Sequence, residues 1–345
     1  MTVGADKNNL LEVEDLAVRF YTLRGTVHAL EDVSFKLGQG ESVGLVGETG
    51  CGKSLTARAI LRIVSPPGKI IRGNIRFEDK QLLELSEREI RQIRGNQISM
   101  IMQEPKMSLN PSMRVGKQVA ETLMIHDRSL GKRAAMAQAL DMLNAVSIPD
   151  PGHMSKRFPH ELSGGMAQRI MIAMMLVTRP KLLIADEPTS ALDVTIQAQI
   201  IDLINGLIED IGSSVLMISH DLGVVAETCD RVIVMYAGSV AESGLVEEVM
   251  ENPQHPYTQG LLRTLPDAID PGQPLYSIKG TVPNLLEEPL GCRFAPRCPQ
   301  AMDRCFRQKP PVFDVGPGHQ VACFLHETSS PQASASSGPS AGLEV

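Results

Sequence analysis

The chain has 345 residues, of which 43% are hydrophobic and 21% charged, enough for one large domain and a smaller appendage. Its 33 basic and 40 acidic side chains give a formal net charge of -7, which argues against a nucleic-acid partner bound through bulk electrostatics. No apolar run reaches the roughly 20 residues that a bilayer requires, and the N-terminus lacks a signal-peptide pattern. We therefore expect a cytosolic protein that serves a membrane only by docking to separate subunits.

The first hundred residues alternate short β-type runs with turns. Strands are predicted at Leu16–Phe20, Val33–Leu37, Ser42–Val46, Ile75–Phe77 and Ile98–Met102. A loop longer than usual is expected between Phe20 and Val33. Helix formers with apolar residues at helical spacing then occupy Gly116–Ala145.

From Lys181 onward, strand and helix patterns alternate. The predicted elements are the strand Leu182–Ala185, the helix Thr195–Ile211, the strands Val215–Ile218 and Val232–Met235, and a hairpin over Met235–Gly244. Such alternation indicates a mostly parallel sheet with helices on its faces. After about Asn252, frequent prolines indicate a loop-rich appendage. Residues 328–345 are mostly Ser, Ala, Gly and Pro and are predicted to be disordered.

The motif G-x-x-x-x-G-K-[ST] is matched by Gly47, Glu48, Thr49, Gly50, Cys51, Gly52, Lys53 and Ser54. It follows an apolar strand and precedes the helix-forming run Leu55–Ile63, which is the context that a phosphate-binding loop requires. Glycines allow backbone amides to surround phosphates, and the helix N-terminus adds partial positive charge. Lys53 is expected to bridge the β- and γ-phosphates of ATP, and Ser54 to bind Mg²⁺. The alternative is a glycine-rich turn that matches by chance.

Two acids end the apolar strand Leu182–Ala185. Asp186 lies where open α/β sheets bind ligands, so we expect it to bind Mg²⁺ directly or through water. Glu187 is the candidate general base that polarises the attacking water. Solvated acids at an ordinary strand end are the alternative.

Within the phosphate-binding loop, a helix N-terminus could lower the pKa of Cys51 and make this thiol reactive, although a small tolerated residue is simpler.

The segment Leu162–Arg169 identifies the kind of ATPase. It resembles the LSGGQ signature of the ATP-binding cassette (ABC) family, with Met166 where Gln is commonest. Ser163 and the amides near Gly164 and Gly165 begin a helix and form a second anion-binding terminus. The resemblance implies that this terminus contacts the γ-phosphate held by an opposite subunit.

Other ABC motifs follow in order. Gln103 resembles the Q-loop glutamine, which senses Mg²⁺ and water and couples to the membrane subunit, and residues 190–193 resemble the D-loop, with Asp193 at the dimer seam. His220 resembles the switch histidine that contacts the γ-phosphate, and Tyr21 or Phe20 is the candidate that stacks on adenine. The implied catalytic residues are thus Glu187, His220, Lys53 and Gln103.

The resemblance implies an α/β fold, the P-loop NTPase cassette of the ABC family. We expect a mixed central sheet with helices, an antiparallel β subdomain and a helical subdomain at about 104–178, all within residues 1–252. Residues 253–327 would form a small, Cys-rich and loop-rich C-terminal domain.

Three stretches resemble the ATPase subunits of oligopeptide and dipeptide ABC importers. They are Gln103–Pro105 with Ser108–Pro111, Asp186–Gln199, and His255–Thr258 leading into the Cys-rich end. The resemblance implies an ATPase that drives peptide uptake. It leaves open nickel, glutathione or another small solute, and a soluble ABC ATPase without a transport role. The long coiled coils or tandem cassettes typical of the latter are not evident.

The same resemblance implies partners and a location. A second, paralogous ATPase subunit would form a heterodimer with this chain, and two membrane permease subunits would receive the motion. An extracytoplasmic substrate-binding protein would take part indirectly, and no nucleic acid is expected. The chain would be peripheral, on the cytoplasmic face of the bacterial inner membrane.

Four of the six cysteines lie near the C-terminus, at Cys292, Cys298, Cys305 and Cys323. In a cytosolic protein such a group favours metal binding over disulfides. Structural zinc commonly uses paired C-x₂₋₄-C knuckles, which are lacking, and wider gaps suit a [4Fe–4S] cluster. Some related importer ATPases hold such a cluster in a similar segment. We expect a structural [4Fe–4S] cluster, with Zn²⁺ or free buried thiols as alternatives.

Overall fold

A computed structural model describes residues 9–190, 193–265, 276–288 and 290–327. The strands are β1 (Asn9–Thr22), β2 (Gly25–Gly38), β3 (Ser42–Val46), β4 (Gly68–Phe77), β5 (Lys80–Gln81), β6 (Ile98–Ile101), β7 (Leu182–Asp186), β8 (Ser214–Ile218), β9 (Arg231–Tyr236), β10 (Ser239–Leu245), β11 (Phe313–Gly316) and β12 (His319–Val321). The helices are α1 (Lys53–Ile60), α2 (Glu87–Ile93), α3 (Pro105–Ser108), α4 (Val115–His126), α5 (Lys132–Ala145), α6 (Pro151–Met154), α7 (Gly164–Leu176), α8 (Val194–Ile211), α9 (Leu222–Thr228), α10 (Val246–Glu251) and α11 (Pro256–Leu262). The tail predicted to be disordered, 328–345, and residues 191 and 192 of the D-loop lie outside the described residues.

The central sheet has the strand order β11-β12-β10-β9-β3-β8-β7-β6. Strands β9, β3, β8, β7 and β6 run parallel, whereas β10, β12 and β11 pair antiparallel. Along β7, Leu182 and Ile184 belong to one hydrophobic core, and Leu183 and Ala185 belong to the core on the opposite face. Because both faces are covered, these strands are mostly apolar, with polar residues chiefly at their ends. The predicted mixed sheet is confirmed.

A second, antiparallel sheet has the order β2-β1-β4-β5 and packs over one of these cores. The long loop expected between Phe20 and Val33 is wrong, because β1 and β2 form a hairpin with a tight turn. Thr22 pairs with Gly25 across the turn, and the Thr22 hydroxyl donates to the Gly25 carbonyl at 2.8 Å. The turn is stabilised by this side-chain hydrogen bond, and the alternation of apolar residues along a strand does not predict such a bond.

The opposite face of the central sheet carries the helical subdomain. Helices α4, α5 and α7 enclose a core to which Val119, Leu143 and Ile170 contribute fully buried side chains. Helix α2, on the other side, was not predicted, although Ser86 and Glu89 form the capping box that begins it. That S-x-x-E pattern is a recognised helix-start signal.

The C-terminal segment is more regular than the loop-rich appendage that its prolines indicated. The hairpin of β11 and β12 joins the central sheet, where Val321 pairs with Glu242 of β10. The Cys-rich segment is thereby fixed beside the cassette. Within the described part of the chain, no helix combines the length and apolarity needed to cross a membrane.

Candidate functional site

The phosphate-binding loop lies between the end of β3 and the start of α1. Gly47 has a φ of 145°, and a Cβ atom there would collide with the carbonyl oxygen of Met235. Gly52 has a φ of 103°, and its Cβ would lie 2.5 Å from a methyl group of Leu30. Both positions therefore require glycine for conformation and for space.

Lys53 is almost fully buried inside this loop. Its ammonium group donates to the carbonyl oxygens of Gly47 at 2.7 Å and Glu48 at 3.3 Å. The lysine therefore lies where phosphate oxygens could exchange for these carbonyls.

Ser54 connects the loop to the end of β7. Its hydroxyl donates to Oδ1 of Asp186 at 2.7 Å. Burial raises the pKa of Asp186, although the Ser54 hydrogen bond acts in the opposite direction. A hydroxyl and a carboxylate in contact are the type of oxygen ligands that Mg²⁺ prefers.

Glu187 meets the ends of two neighbouring strands. Its φ of 47° lies in the left-handed region, which is unusual for a residue other than glycine, and its amide bonds to the Ile218 carbonyl at 2.9 Å. The carboxylate accepts a hydrogen bond from Gln103 Nε2 at 3.0 Å and lies 3.5 Å from His220 Nδ1. An acid held between an amide and an imidazole is suited to orienting a water molecule.

These side chains face a single cleft of about 580 Å³ that is open to solvent. Its lining residues are Phe20, Ala29, Thr49, Gly50, Gly52, Lys53, Ser54, Leu55, Arg58, Gln103, Glu187, Ser190, His220 and Leu285. The structure thus brings together residues from the loop, the Q-loop, the acid pair and the switch position. Asp186 adjoins this group through Ser54.

The signature residues are positioned differently. Ser163 caps α7, and its hydroxyl accepts from the Met166 amide at 3.3 Å. Within the part of the chain that the structure describes, Ser163, Gly164 and Gly165 are not among the residues lining the cleft, and neither is Asp193, which precedes α8 without a side-chain capping bond. A Cβ atom at Gly164 would meet nothing within 4 Å, so this helix start has an open approach.

Phe20 and Tyr21 point to different sides of β1, as neighbours on a strand do. Phe20 lines the cleft, whereas Tyr21 is 50% exposed and its ring lies below Lys69 Nζ, 5.9 Å from the centroid. Of the two candidates for stacking on adenine, Tyr21 is therefore outside the cleft lining and Phe20 is within it.

Leu285 is a cleft residue that sequence reasoning missed. It belongs to the C-terminal segment, and its carbonyl accepts from the His28 amide of β2 at 2.7 Å. Leu285 lies in a stretch without regular periodicity, so no local signal indicates its contact with the phosphate-site cleft.

Cys51 lies in the phosphate-binding loop, two positions before Lys53. The side chain is buried, and burial raises the pKa of the thiol, although Lys53 acts to lower it. Burial thus opposes the lowering that a helix N-terminus could cause, which favours the simpler interpretation of Cys51 as a small tolerated residue.

The clustered cysteines line one small pocket beside Phe294 and Phe324; they are Cys292, Cys298, Cys305 and Cys323. Burial raises the pKa of the Cys323 thiol to about 11 and also raises the pKa values of Cys292 and Cys298. Across the described ranges, no three His, Cys, Asp or Glu side chains are placed so that they could hold a metal ion. The cysteines converge, but the structure does not show a metal site.

Two protein families match the sequence of this chain. The ABC transporter family matches residues 30–190, and the family described as oligopeptide/dipeptide transporter, C-terminal region, matches residues 241–305. The chain is 50% identical to the oligopeptide transport ATP-binding protein OppD of Salmonella typhimurium, over 92% of this chain and 94% of the relative. It is 48% identical to the dipeptide transport ATP-binding protein DppD of Bacillus subtilis, over 94% and 97% respectively.

A similar solved structure is the dimeric ATP-binding cassette MJ0796 in a post-hydrolysis state bound to ADP and Pi. It shares 25% identity and a TM-score of 0.62, covering 68% of this chain and 98% of the cassette. The family match and the identity to these transport ATP-binding proteins over most of the chain show that it belongs to the ABC transporter family of ATP-hydrolysing subunits.

Proposed function

We propose that this chain is the ATPase subunit that drives a peptide importer. The observation that carries the ATPase role is the single cleft shared by Lys53, Ser54, Gln103, Glu187 and His220. The peptide cargo is supported by relatives named for oligopeptide and dipeptide transport and by the matching C-terminal region. Nickel, glutathione or another small solute is the alternative cargo for the same motor.

The cleft residues divide the chemistry of ATP hydrolysis among them. Lys53 and the loop amides hold the triphosphate. Ser54, Asp186 and Gln103 supply the hard oxygen ligands for Mg²⁺, which neutralises phosphate charge when bound. Glu187 accepts a proton from the attacking water and His220 stabilises the γ-phosphate.

The position of the signature helix supports a dimer. Ser163, Gly164 and Gly165 form an open helix N-terminus outside the lining of this chain's own cleft. We assign them, with Asp193, to the nucleotide of a second ATPase subunit. Each composite site is then complete only when two cassettes close. The dimeric cassette with a similar fold supports this arrangement.

The remaining partners follow from this role. The second ATPase is a paralogue, and two permease subunits receive the movement near Gln103. An extracytoplasmic substrate-binding protein delivers the peptide without touching this chain. The chain is then peripheral on the cytoplasmic face of the inner membrane.

For the four clustered cysteines we favour a structural [4Fe–4S] cluster over Zn²⁺. Four thiols that line one pocket provide the donor set for either, although their present positions do not form a ligand group. The bound group would need thiolates, so it must offset the raised pKa values of these cysteines. Iron and acid-labile sulfide analysis of protein purified without oxygen distinguishes the cluster from zinc and from free thiols.

The substitution Glu187→Gln tests the hydrolytic role. Loss of the carboxylate should lower kcat by about 100-fold or more, whereas the Kd for ATP stays within about twofold, because the loop is unchanged. Glu209→Gln, at an exposed position of α8, is the matched control. Substantial hydrolysis by the Glu187 variant would remove its assignment as the base. Uptake of labelled peptides, compared with nickel and glutathione, identifies the cargo.

A further inference from the structure

Arg297 extends from the Cys-rich domain to the phosphate-binding loop. It ends a short 3-10 turn, Ala295–Arg297, directly before Cys298. Its guanidinium forms a two-pronged ion pair with Glu48, with Nη1 at 2.7 Å from Oε2 and Nη2 at 3.0 Å from Oε1. The Arg297 side chain is 5% exposed and that of Glu48 is 26% exposed, so the pair is partly shielded from solvent.

The orientation of Arg297 is fixed by its other bonds. Nε donates to the Lys279 carbonyl at 3.1 Å, Nη2 to the Ile278 carbonyl at 3.1 Å, and Nη1 to the Tyr236 hydroxyl at 3.2 Å. Together with the two bonds to Glu48, all five N–H groups of the guanidinium are used. A lysine cannot reproduce this pattern, because its ammonium has three donors at one point.

Glu48 is also held through its backbone. Its amide donates to the Tyr257 hydroxyl at 2.8 Å, and its carbonyl accepts from the Cys51 amide at 3.1 Å. Tyr257 lies on α11, outside the loop, and is fully buried. The first turn of the phosphate loop is therefore held directly by two residues of the C-terminal half of the chain, Tyr257 at the Glu48 amide and Arg297 at the Glu48 carboxylate, while Tyr236 contacts Arg297.

A carboxylate in a loop that binds a triphosphate weakens binding by electrostatic repulsion. Glu48 carries the same sign of charge as the phosphates and would repel them if it were free. The Arg297 guanidinium neutralises that charge and fixes the Glu48 side chain, while the Tyr257 hydroxyl accepts from the Glu48 amide.

We propose that Arg297 is a positioning residue of the ATP site, through which the Cys-rich domain holds the Gly47–Glu48 turn ready for the triphosphate. This inference depends on the proposed role of the loop. The C-terminal domain then contributes to nucleotide binding, although Arg297 lies 249 positions from Glu48 in the sequence.

The test is a double-mutant cycle on the full chain, with the Kd for ATP measured by equilibrium titration in the presence of Mg²⁺. Arg297→Met should raise Kd about tenfold, because the anchor is lost and Glu48 is left uncompensated. Glu48→Ala should raise Kd about threefold, and the double variant should match Glu48→Ala. For Arg297→Met, kcat at saturating ATP should remain within about twofold, so that the effect appears in KM.

Arg304→Met is the matched control, because Arg304 lies in the same domain and bonds instead to the Phe324 carbonyl and to Glu327. Its Kd should stay within about twofold of the original chain. The proposal would be overturned if Arg304→Met raised the Kd for ATP as much as Arg297→Met does, or if the effects of Arg297→Met and Glu48→Ala on the binding free energy were additive. It would also be overturned if Glu48→Ala bound ATP with the Kd of the original chain. The last of these holds even if Arg297→Met does not fold.

Lys53→Ala separates this proposal from the assignment of the site. If Lys53→Ala binds ATP as well as the original chain does, the loop is not the triphosphate site, and the Arg297 proposal falls with it. If Lys53→Ala loses binding while Arg297→Met retains it, only the positioning role is refuted.

Discussion

The hydroxyl of Ser54 and the carboxylate of Asp186 lie 2.7 Å apart, although 132 positions separate them in the sequence. This bond joins the first turn of α1 to the end of β7. Both groups are expected magnesium ligands, so the bond keeps them adjacent before nucleotide binds.

Replacing Asp186 by Asn should stabilise the nucleotide-free protein. Burial raises the pKa of this carboxyl above the usual 3.8, so its ionised form is disfavoured in the folded state. This cost lowers the free energy of unfolding as pH rises past 3.8 and is fully present once pH exceeds the folded pKa. At neutral pH we expect Tm to rise by about 2 °C and magnesium-dependent hydrolysis to fall about 100-fold.

Asp210→Asn, at an exposed position of α8, should change neither quantity. A lower Tm for Asp186→Asn than for the original chain, measured by calorimetry without nucleotide, would show that the ionised carboxylate is not a burden on the fold.

Phe20 and Tyr21 provide a matched pair for locating the adenine. Phe20→Ala should raise the Kd for ATP about tenfold, because base–aromatic stacking contributes roughly 1–3 kcal/mol. Tyr21→Ala should leave Kd within about twofold, since its ring faces Lys69 outside the cleft. Isothermal titration with ATP measures both values. The reverse ranking would return the stacking role to Tyr21.

Alanine substitutions at Gly47 and Gly50 separate the effect of a steric clash on stability from the effect of backbone strain. Gly47→Ala places a methyl group against the carbonyl of Met235, so we expect destabilisation of about 3 kcal/mol or more and loss of ATP binding. Gly50 also has a positive φ, 82°, but nothing lies within 4 Å of its added Cβ. Gly50→Ala should therefore cost only about 1 kcal/mol, which is the strain alone. Urea unfolding compares the two, and equal losses would contradict a steric role for Met235.

His255 should make stability sensitive to mild acid. Its burial lowers its pKa from 6.5 to about 4, with Glu242 opposing and His326 reinforcing the shift. The neutral ring is favoured in the fold, so this contribution is complete above pH 6.5 and is lost as pH falls toward 4. Between pH 6.5 and 5 we expect a loss of about 2 kcal/mol in the free energy of unfolding.

His255→Asn should remove most of that slope. His255 Nδ1 accepts a hydrogen bond from the Tyr257 amide at 3.0 Å, and an asparagine side chain can accept the same bond. Asparagine is also a favourable N-cap residue for α11. Urea unfolding at several pH values above 5 measures the slope. The exposed His153→Asn variant should retain it, and an unchanged slope in His255→Asn would assign the acid sensitivity to another group.

Local patterns were sufficient for much of the cassette. The phosphate loop lies between a strand and a helix, as its spacing and apolar flanks predicted, and the run from β7 to β9 gave the parallel sheet. Such features depend on residues a few positions apart, so their physical causes are contained within a short segment. Helix α2 was predictable in principle from its Ser86 and Glu89 capping box.

The sequence by itself thus indicated the candidates for the chemistry, which are Lys53, Ser54, the acids after β7 and His220, from motif and order. Only the tertiary structure decided which of two adjacent aromatics faces the cleft, that Leu285 lines it, and that β12 extends the central sheet. It alone joined Arg297 to Glu48 across 249 positions. Such contacts depend on how distant segments pack, and no short window of sequence contains the free energy that selects them.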